Sequence, residues 1–317
     1  MIRNIFSLAL AISAASLAMS EPAPAQMPGQ PTSAQATSVA AGKRSGVAEA
    51  DGVRVHYDVY GDLGSGKTPL LVLHGAYMSA DSMAPFVERF ARTRPVIVLD
   101  QRGHARTGDA PGPITYEAMA DDAAAVLDAA GVRQADVFGY SMGGGVALQL
   151  AIRHPDRVLH LVPVSAGTRL DAMYPEVIAG IAQITPAVFE NTPIRREYDR
   201  LAPRPQDFPR LVDELKILDA TPFDWGAAVR ALRHRTMIVM GDYDIVTPEH
   251  AVELFRLRGG GAAATAAQGF LTEAPPARLL ILPATSHIGV IGAADSLVAL
   301  VTPFLDDVAP PPPEGFF

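Results

Sequence analysis

The sequence contains no cysteine. It can therefore form no disulfide, no thiolate nucleophile and no Cys-ligated zinc or iron–sulfur site. It also lacks any basic run. Lys and Arg number 26 against 34 Asp and Glu, a formal net charge of -8. A mildly acidic chain of this kind is a poor generic partner for nucleic acid or anionic lipid. Past the first residues, no apolar stretch approaches the length of a membrane span. What the chain does have is apolar content, 49% against 19% charged residues. That balance supports a buried core and excludes disorder along most of the length. The 317 residues suit one large domain, or one domain carrying an insertion.

The N-terminus reads as a secretory signal peptide over residues 1–25. Arg3 provides a positive start, Ile5 to Ala18 is apolar apart from small Ser, and Ala23-Pro24-Ala25 forms an Ala-x-Ala site before Gln26. Cleavage after Ser20 and retention as an uncleaved anchor are the alternatives. The expectation is export to the periplasm or the exterior, with no stable membrane insertion after cleavage. There the chain must hold together without disulfides. Residues 26–48 are rich in Pro, Ser, Thr, Ala and Gly and read as a flexible linker. The folded domain is expected over 49–308, and the proline run after Val308 leaves 309–317 as a disordered tail.

Within the domain, Val53, Val55, Tyr57 and Val59 alternate with polar or exposed-type residues, the period of a half-buried strand. The pattern then changes to short continuous apolar runs at Leu70–Leu73, Val96–Leu99, Val137–Phe138, Leu159–Val162, Met237–Met240 and Leu279–Leu282. Such runs suit strands covered on both faces, as in a parallel sheet. Helical segments lie between them. Thr115 is placed to cap one that Gly131 ends, and Gly143–His154 forms the next, stopped by Pro155. The class is therefore α/β with a mostly parallel sheet. Residues 168–233 break the rhythm and read as a mainly helical insertion. Gly259 to Ala274 reads as a surface excursion.

The most specific feature is Gly139-Tyr140-Ser141-Met142-Gly143, which follows a strand and opens a helix. Glycines two residues either side of Ser141 permit a sharp turn that lifts the hydroxyl clear of the sheet, a nucleophile elbow. The Met142 N–H at the helix start can donate to an oxyanion. A serine nucleophile needs a base and an orienter. His287 ends one later apolar run and Asp242 and Asp244 end another, where α/β sheets build their sites. His287 is the preferred base. His154, His160, His234, His250 and His56 fit structural or surface positions, with His250 placed on a helix surface. Asp244 is preferred over its neighbour Asp242 as the acid, while Asp136 and Asp109 fit structural roles. The second oxyanion donor should come from His74-Gly75-Ala76-Tyr77, with the Ala76 N–H first choice and that of Tyr77 second. His74 reads as a brace for this loop. Tyr77 and Met78 are expected to line the substrate pocket.

These motifs resemble those of the α/β-hydrolase superfamily, specifically small proteins related to lactonases, C–C bond hydrolases and cofactor-free haloperoxidases. The resemblance covers about Gly52 to Asp306. It rests on His74-Gly75, on Asp100-Gln101-Arg102-Gly103-His104, on Gly139 to Gly144, and on Asp244 and His287 in their Gly-Asp-Tyr-Asp and Thr-Ser-His contexts. It implies a central sheet of about eight strands with helices on both faces and a helical cap at 168–233. Ala105 stands where the family usually has Gly, and Thr107 where Ser is common.

The implied chemistry is a two-step hydrolysis without metal or cofactor, in which Ser141 attacks a carbonyl, His287 moves the proton and Asp244 stabilises the imidazolium. Serine at the nucleophile position argues against dehalogenase and epoxide hydrolase chemistry. A small-molecule ester or lactone is the expected substrate. C–C hydrolysis, perhydrolysis, an interfacial lipase and a non-catalytic ligand sensor are the alternatives. A peptidase would need groups to grip an N-terminal amine, and none can be placed in the cap from sequence. Tyr174, Phe189, Tyr198, Phe223 and Trp225 could line the cap's underside, though core packing explains each of them as well. Sequence leaves the oligomeric state open.

Overall fold

The computed structural model describes residues 42–108, 110–271 and 273–308. The expected signal peptide at 1–25, the linker up to 41, Asp109 and the tail at 309–317 lie outside the described residues.

Eight strands form one sheet in the order β1-β2-β4-β3-β5-β6-β7-β8. They are β1 (Arg44–Ala50), β2 (Val53–Tyr60), β3 (Leu70–Leu73), β4 (Val96–Leu99), β5 (Ala135–Tyr140), β6 (Val158–Val164), β7 (Arg235–Tyr243) and β8 (Ala277–Ser286). Strand β2 pairs antiparallel with β1 and β4, and every other pairing is parallel. The continuous apolar runs become β3 to β7, with β3 and β4 buried at every position. Strand β8 is more open than its run of Leu and Ile suggests, because it is the sheet edge: Ile281 is 37% exposed.

The expected linker boundary is corrected here. Residues 44–48 are not linker but part of β1, an edge strand in register with β2 through pairs such as Ala48↔Val55. Ala48 and Ala50 turn inward and are buried, while their neighbours face solvent. Small residues carry this strand because the space beneath it is already filled. A Cβ on Gly46 would lie 2.5 Å from Cζ of Tyr57. Alternation of small side chains has little hydropathy contrast, so the strand resembles a linker in sequence.

Helices cover both faces. On one, α1 (Ala84–Phe90) and the C-terminal α11 (Ala294–Leu305) enclose Phe86, Phe90, Phe138 and Phe304. Burying each such ring contributes about 1.5–3 kcal/mol. On the other lie α2 (Tyr116–Ala129), α3 (Met142–Arg153) and α8 (Pro248–Leu257). Thr115 caps α2, its hydroxyl accepting from the Ala118 N–H at 3.1 Å. Gly131 follows with φ +71°, the left-handed turn that ends a helix. Between β6 and β7 stand α4 (Pro175–Ala182), α5 (Pro193–Leu201), α6 (Phe208–Ala220) and α7 (Gly226–Ala231), which together form the cap. The short helices α9 (Ala263–Ala266) and α10 (Gly289–Gly292) follow α8 and β8.

The two ends of the cap meet. Arg169 and Asp224 form an antiparallel bridge, and the Trp225 N–H donates to the Thr168 carbonyl at 2.8 Å. The first cap residues also pair with the loop after β7: Met173 bridges Val246, and the Thr247 N–H donates to the Ala172 carbonyl at 2.9 Å.

Candidate active site

Parallel strands bring their C-terminal ends to one edge of the sheet, and three such ends converge here. Ser141 follows β5, Asp244 follows β7, and His287 follows β8. Ser141 sits at φ +55° and ψ -121°, a strained turn between strand and helix. The glycines around it are required by close backbone approach. A Cβ on Gly139 would lie 2.0 Å from the Gly143 carbonyl oxygen, and one on Gly143 would lie 2.3 Å from that of Leu73.

The three side chains form one hydrogen-bonded line. Ser141 Oγ lies 3.0 Å from His287 Nε2, and His287 Nδ1 lies 2.7 Å from Asp244 Oδ1. Since the Asp244 carboxylate can only accept, Nδ1 carries the proton and Nε2 faces the serine hydroxyl as an acceptor. Tyr140 supports the imidazole from the side. Its ring lies 5.3 Å from that of His287, and its hydroxyl donates to the His287 carbonyl at 2.9 Å.

Asp244 is buried, which opposes its charge. Hydrogen bonds nonetheless hold its carboxyl below the ordinary carboxylate pKa. Besides His287, the donors are Ser165 Oγ at 2.5 Å and the N–H groups of Ile245, Gly241 and Val246 at 2.7, 3.3 and 3.4 Å. Ser165 was not found by sequence reasoning. It follows β6 with φ +54°, and no motif marks it. Asp242 is exposed and does a different job. Its two oxygens accept from the Ala284 and Thr285 N–H groups, each at 2.9 Å, and so fix the turn that carries His287. Those backbone donors lower its pKa.

The loop after β3 lies against the elbow. A Cβ on Gly75 would come within 3.2 Å of Ser141 Cβ. The Tyr77 N–H is already used, donating to His104 Nε2 at 3.2 Å. The N–H groups of Ala76 and Met142 meet no acceptor among the described residues, and both residues line the pocket beside Ser141. Two buried histidines brace this loop. His74 Nε2 accepts from the Gln101 N–H at 3.0 Å, and its Nδ1 contacts the Gly75 carbonyl at 2.8 Å. His104 Nδ1 contacts the Arg102 carbonyl at 2.9 Å. Burial lowers the pKa of both, that of His104 to about 3, so both rings are neutral. Asp100 completes the brace. It is buried, but the His56 ring 3.4 Å away, a hydrogen bond from the Ala80 amide and the Arg106 charge bring its pKa down to about 2.

The other histidines have structural partners. His160 contacts Asp136 at 2.8 Å, His154 contacts Asp121 at 2.7 Å, and His234 contacts the Pro155 carbonyl at 2.8 Å. His56 lies 3.4 Å from Asp100. His250 differs from the sequence expectation. It is buried, not on a helix surface, and its Nε2 accepts from the Thr168 N–H at 3.0 Å at the root of the cap.

A cavity of about 260 Å³ opens over Ser141 beneath the cap, with Tyr77, Met78 and His287 on its wall. Of the cap aromatics, Phe223 lines it. Phe189, Tyr198 and Trp225 are buried in the core, and Tyr174 is 40% exposed. The lining is mostly apolar, but it also carries Tyr116 and Asp219, neither of which sequence reasoning singled out as a site residue. Among the described residues, no cluster of His, Asp and Glu is arranged to hold a metal ion, and no helix is long and apolar enough to cross a membrane.

The family model for the alpha/beta hydrolase fold matches residues 68–241, more than half of the chain. Among curated proteins, the chain is similar to RutD of Caulobacter vibrioides, a protein whose name is that of a carbamate hydrolase. Identity is 35% over 130 residues, 41% of this chain and 48% of RutD. It is also 31% identical over 212 residues to the 2-hydroxymuconate semialdehyde hydrolase of Pseudomonas sp. (strain CF600), 59% of this chain and 74% of that enzyme. The chain spans about half the length, or less, of the first curated relatives it matches. Among solved structures, Est816, an N-acyl homoserine lactone degrading enzyme, superposes with a TM-score of 0.62 at 25% identity. That match covers 82% of this chain and 100% of Est816.

Proposed function

The chain belongs to the alpha/beta hydrolase fold family, and from that premise we propose that it is a serine hydrolase cleaving a carboxylic ester or lactone. The observation that carries this reading is the line from Ser141 Oγ through His287 to Asp244, at 3.0 and 2.7 Å. In the proposed cycle, His287 Nε2 takes the Ser141 proton as Oγ attacks the carbonyl carbon. The resulting oxyanion accepts from the free N–H groups of Ala76 and Met142. His287 then gives its proton to the leaving alkoxide, and an acyl-enzyme remains. Water attacks the acyl carbon, losing a proton to His287, and the acid departs as that proton returns to Ser141. Asp244 holds Nδ1–H in place and stabilises the imidazolium in both halves. The chain's own residues supply every one of these roles.

The apolar wall favours acyl groups with few charges. The name of Est816 supports the lactone option and that of the Pseudomonas relative supports C–C hydrolysis as a second reading. The test is turnover of p-nitrophenyl esters of increasing acyl length and of simple lactones, with Ser141→Ala alongside. The expected result is activity that the variant lacks by about 10⁵-fold while it remains folded. Full activity in Ser141→Ala would remove the serine from the mechanism. Export is part of the proposal, supported by the charge, apolar run and Ala-x-Ala site of residues 1–25. It fails if protein recovered from cells begins at Met1.

A further inference from the structure

The buried face of α6 carries Phe208, Leu211, Val212, Leu215 and Leu218. Asp219 lies four residues past Leu215 and seven past Val212, so helical geometry puts a carboxyl on the same face as these apolar side chains. That carboxyl is on the wall of the cavity that holds Ser141. No hydrogen bond or ion pair reaches it among the described residues, and burial alone acts on it, raising its pKa to about 7. Arg169 on the same wall is taken up by Asp171 and Glu253, at 2.7 and 2.6 Å. The Tyr77 hydroxyl is also buried without a hydrogen-bond partner. Burial raises the pKa of both Tyr77 and Tyr116, and the nearby Asp219 carboxylate adds to it; the Tyr116 ring lies 5.6 Å from that of Phe223.

Asp219 is half-buried and faces the cavity in a mostly apolar wall, with no partner among the described residues, so the interaction it lacks is one a ligand can supply. An anionic group would be repelled there. A carboxylate among aromatic faces suits a compact cation, which gains both from the ion pair and from the rings. We infer that Asp219, with Tyr77, Tyr116 and Phe223, forms a subsite on the cap wall for a primary ammonium group carried by the substrate. The term substrate rests on the serine-hydrolase reading; the ammonium site itself does not.

The experiment pairs p-nitrophenyl heptanoate with its ω-amino isostere, in wild type and Asp219→Asn. It adds calorimetric binding of hexylammonium against hexanol to both proteins. Wild type should prefer the amino ester and bind hexylammonium more tightly. Asp219→Asn should lose about ten- to a hundred-fold of each preference, the worth of one hydrogen bond to a charged group. The variant's Tm should not fall, because the substitution removes a charge without a partner. If the heptanoate ester is hydrolysed but neither preference appears, the subsite is refuted while the serine-hydrolase reading stands. If neither ester is hydrolysed but hexylammonium binds wild type selectively and not the variant, the subsite stands and the hydrolase reading falls. Wild type alone also tests the idea, since equal binding of the ammonium and the alcohol overturns it without any variant.

Discussion

Asp242 and Asp244 sit two residues apart on one loop, and replacing each by asparagine should have unequal effects. In Asp244→Asn, the amide oxygen has reason to face His287 Nδ1–H and the Ile245 N–H, each 2.7 Å from Oδ1. The amide nitrogen would then face Ser165 Oγ, which can accept from it, and would give up only the long 3.3 Å bond from the Gly241 N–H. The imidazole would keep its orientation and tautomer but lose the negative charge beside it. With charge centres about 4 Å apart and an effective dielectric of about 20, the lost attraction to the imidazolium is about 4 kcal/mol. That corresponds to about a thousand-fold in rate. Asp242 is exposed and accepts from two backbone N–H groups. Asparagine there keeps one acceptor oxygen, so the turn loosens without losing a charge that the chemistry uses, and the loss should stay within about ten-fold. The assay is kcat/KM on the best p-nitrophenyl ester, with thermal unfolding as a control for the fold. An Asp242→Asn variant as impaired as Asp244→Asn would refute the division of labour, as would an Asp244→Asn variant retaining a tenth of the activity.

Other perturbations test the surrounding structure. Ser165→Ala removes a short buried bond to the Asp244 carboxylate; urea unfolding at neutral pH should show a loss of about 1.5–3 kcal/mol, accompanied by lower kcat. Gly143→Ala places a Cβ against the backbone oxygens of Leu73 and His74, at 2.3 and 2.6 Å, and should give insoluble or inactive protein on expression. The buried His104 ring should cost the fold stability on acidification, above the range in which ordinary carboxylates titrate. His104 has a folded pKa of about 3 against an ordinary 6.5, so the unfolded chain binds the proton first and stability falls as pH drops below about 6.5. From pH 7 to pH 5 this one ring accounts for about 2 kcal/mol. Asp100, depressed to about 2 from 3.8, adds a further loss of about 2 kcal/mol as pH falls from about 4 toward 2. Asp219, raised to about 7 by burial, works the other way and adds about 2 kcal/mol of stability as pH falls from 7 to 5. The denaturant titrations therefore belong on Asp219→Asn; both phases should appear there, and a flat profile of that variant between pH 7 and 5 would contradict the neutral buried ring.

Residues whose signal is local could be read from the chain. The elbow around Ser141 needs glycine at fixed spacing because backbones nearly touch there, and that requirement is written in consecutive letters. The strands buried on both faces appear as apolar runs for the same reason. Ala105, where the resemblance led us to expect Gly, has φ +42°, which explains why a residue without Cβ is usual at such a turn. Features that depend on what lies across the fold could not be read. Strand β1 is small-residue alternation over a crowded neighbour, and only the Tyr57 ring beneath Gly46 shows why. The choice between the Ala76 and Tyr77 amides turns on His104, far along the chain, having taken the latter. Ser165 matters because β6 ends beside β7, and Asp219 because α6 turns one face to a cavity; no short motif encodes either.

The clasp at the base of the cap has a consequence for how such a protein can vary. Thr168 and Trp225 meet by one backbone hydrogen bond beside the Arg169–Asp224 bridge, so the cap leaves the sheet and returns to it at a single point. A segment with adjoining ends can be lengthened, shortened or exchanged at little cost, because closing a longer loop costs only a logarithmic increment in entropy. The sheet and its Ser141–His287–Asp244 line would persist through such an exchange. The second seam sets the limit. Met173 pairs with Val246, two residues beyond Asp244. Grafts that respect the 172–174 and 245–247 pairing inherit an intact acid loop, and grafts that cut through it do not. Recombination points placed at Thr168 and Trp225, with the 172–174 segment retained, would therefore separate the heredity of the cap's pocket lining from that of the Ser141–His287–Asp244 line.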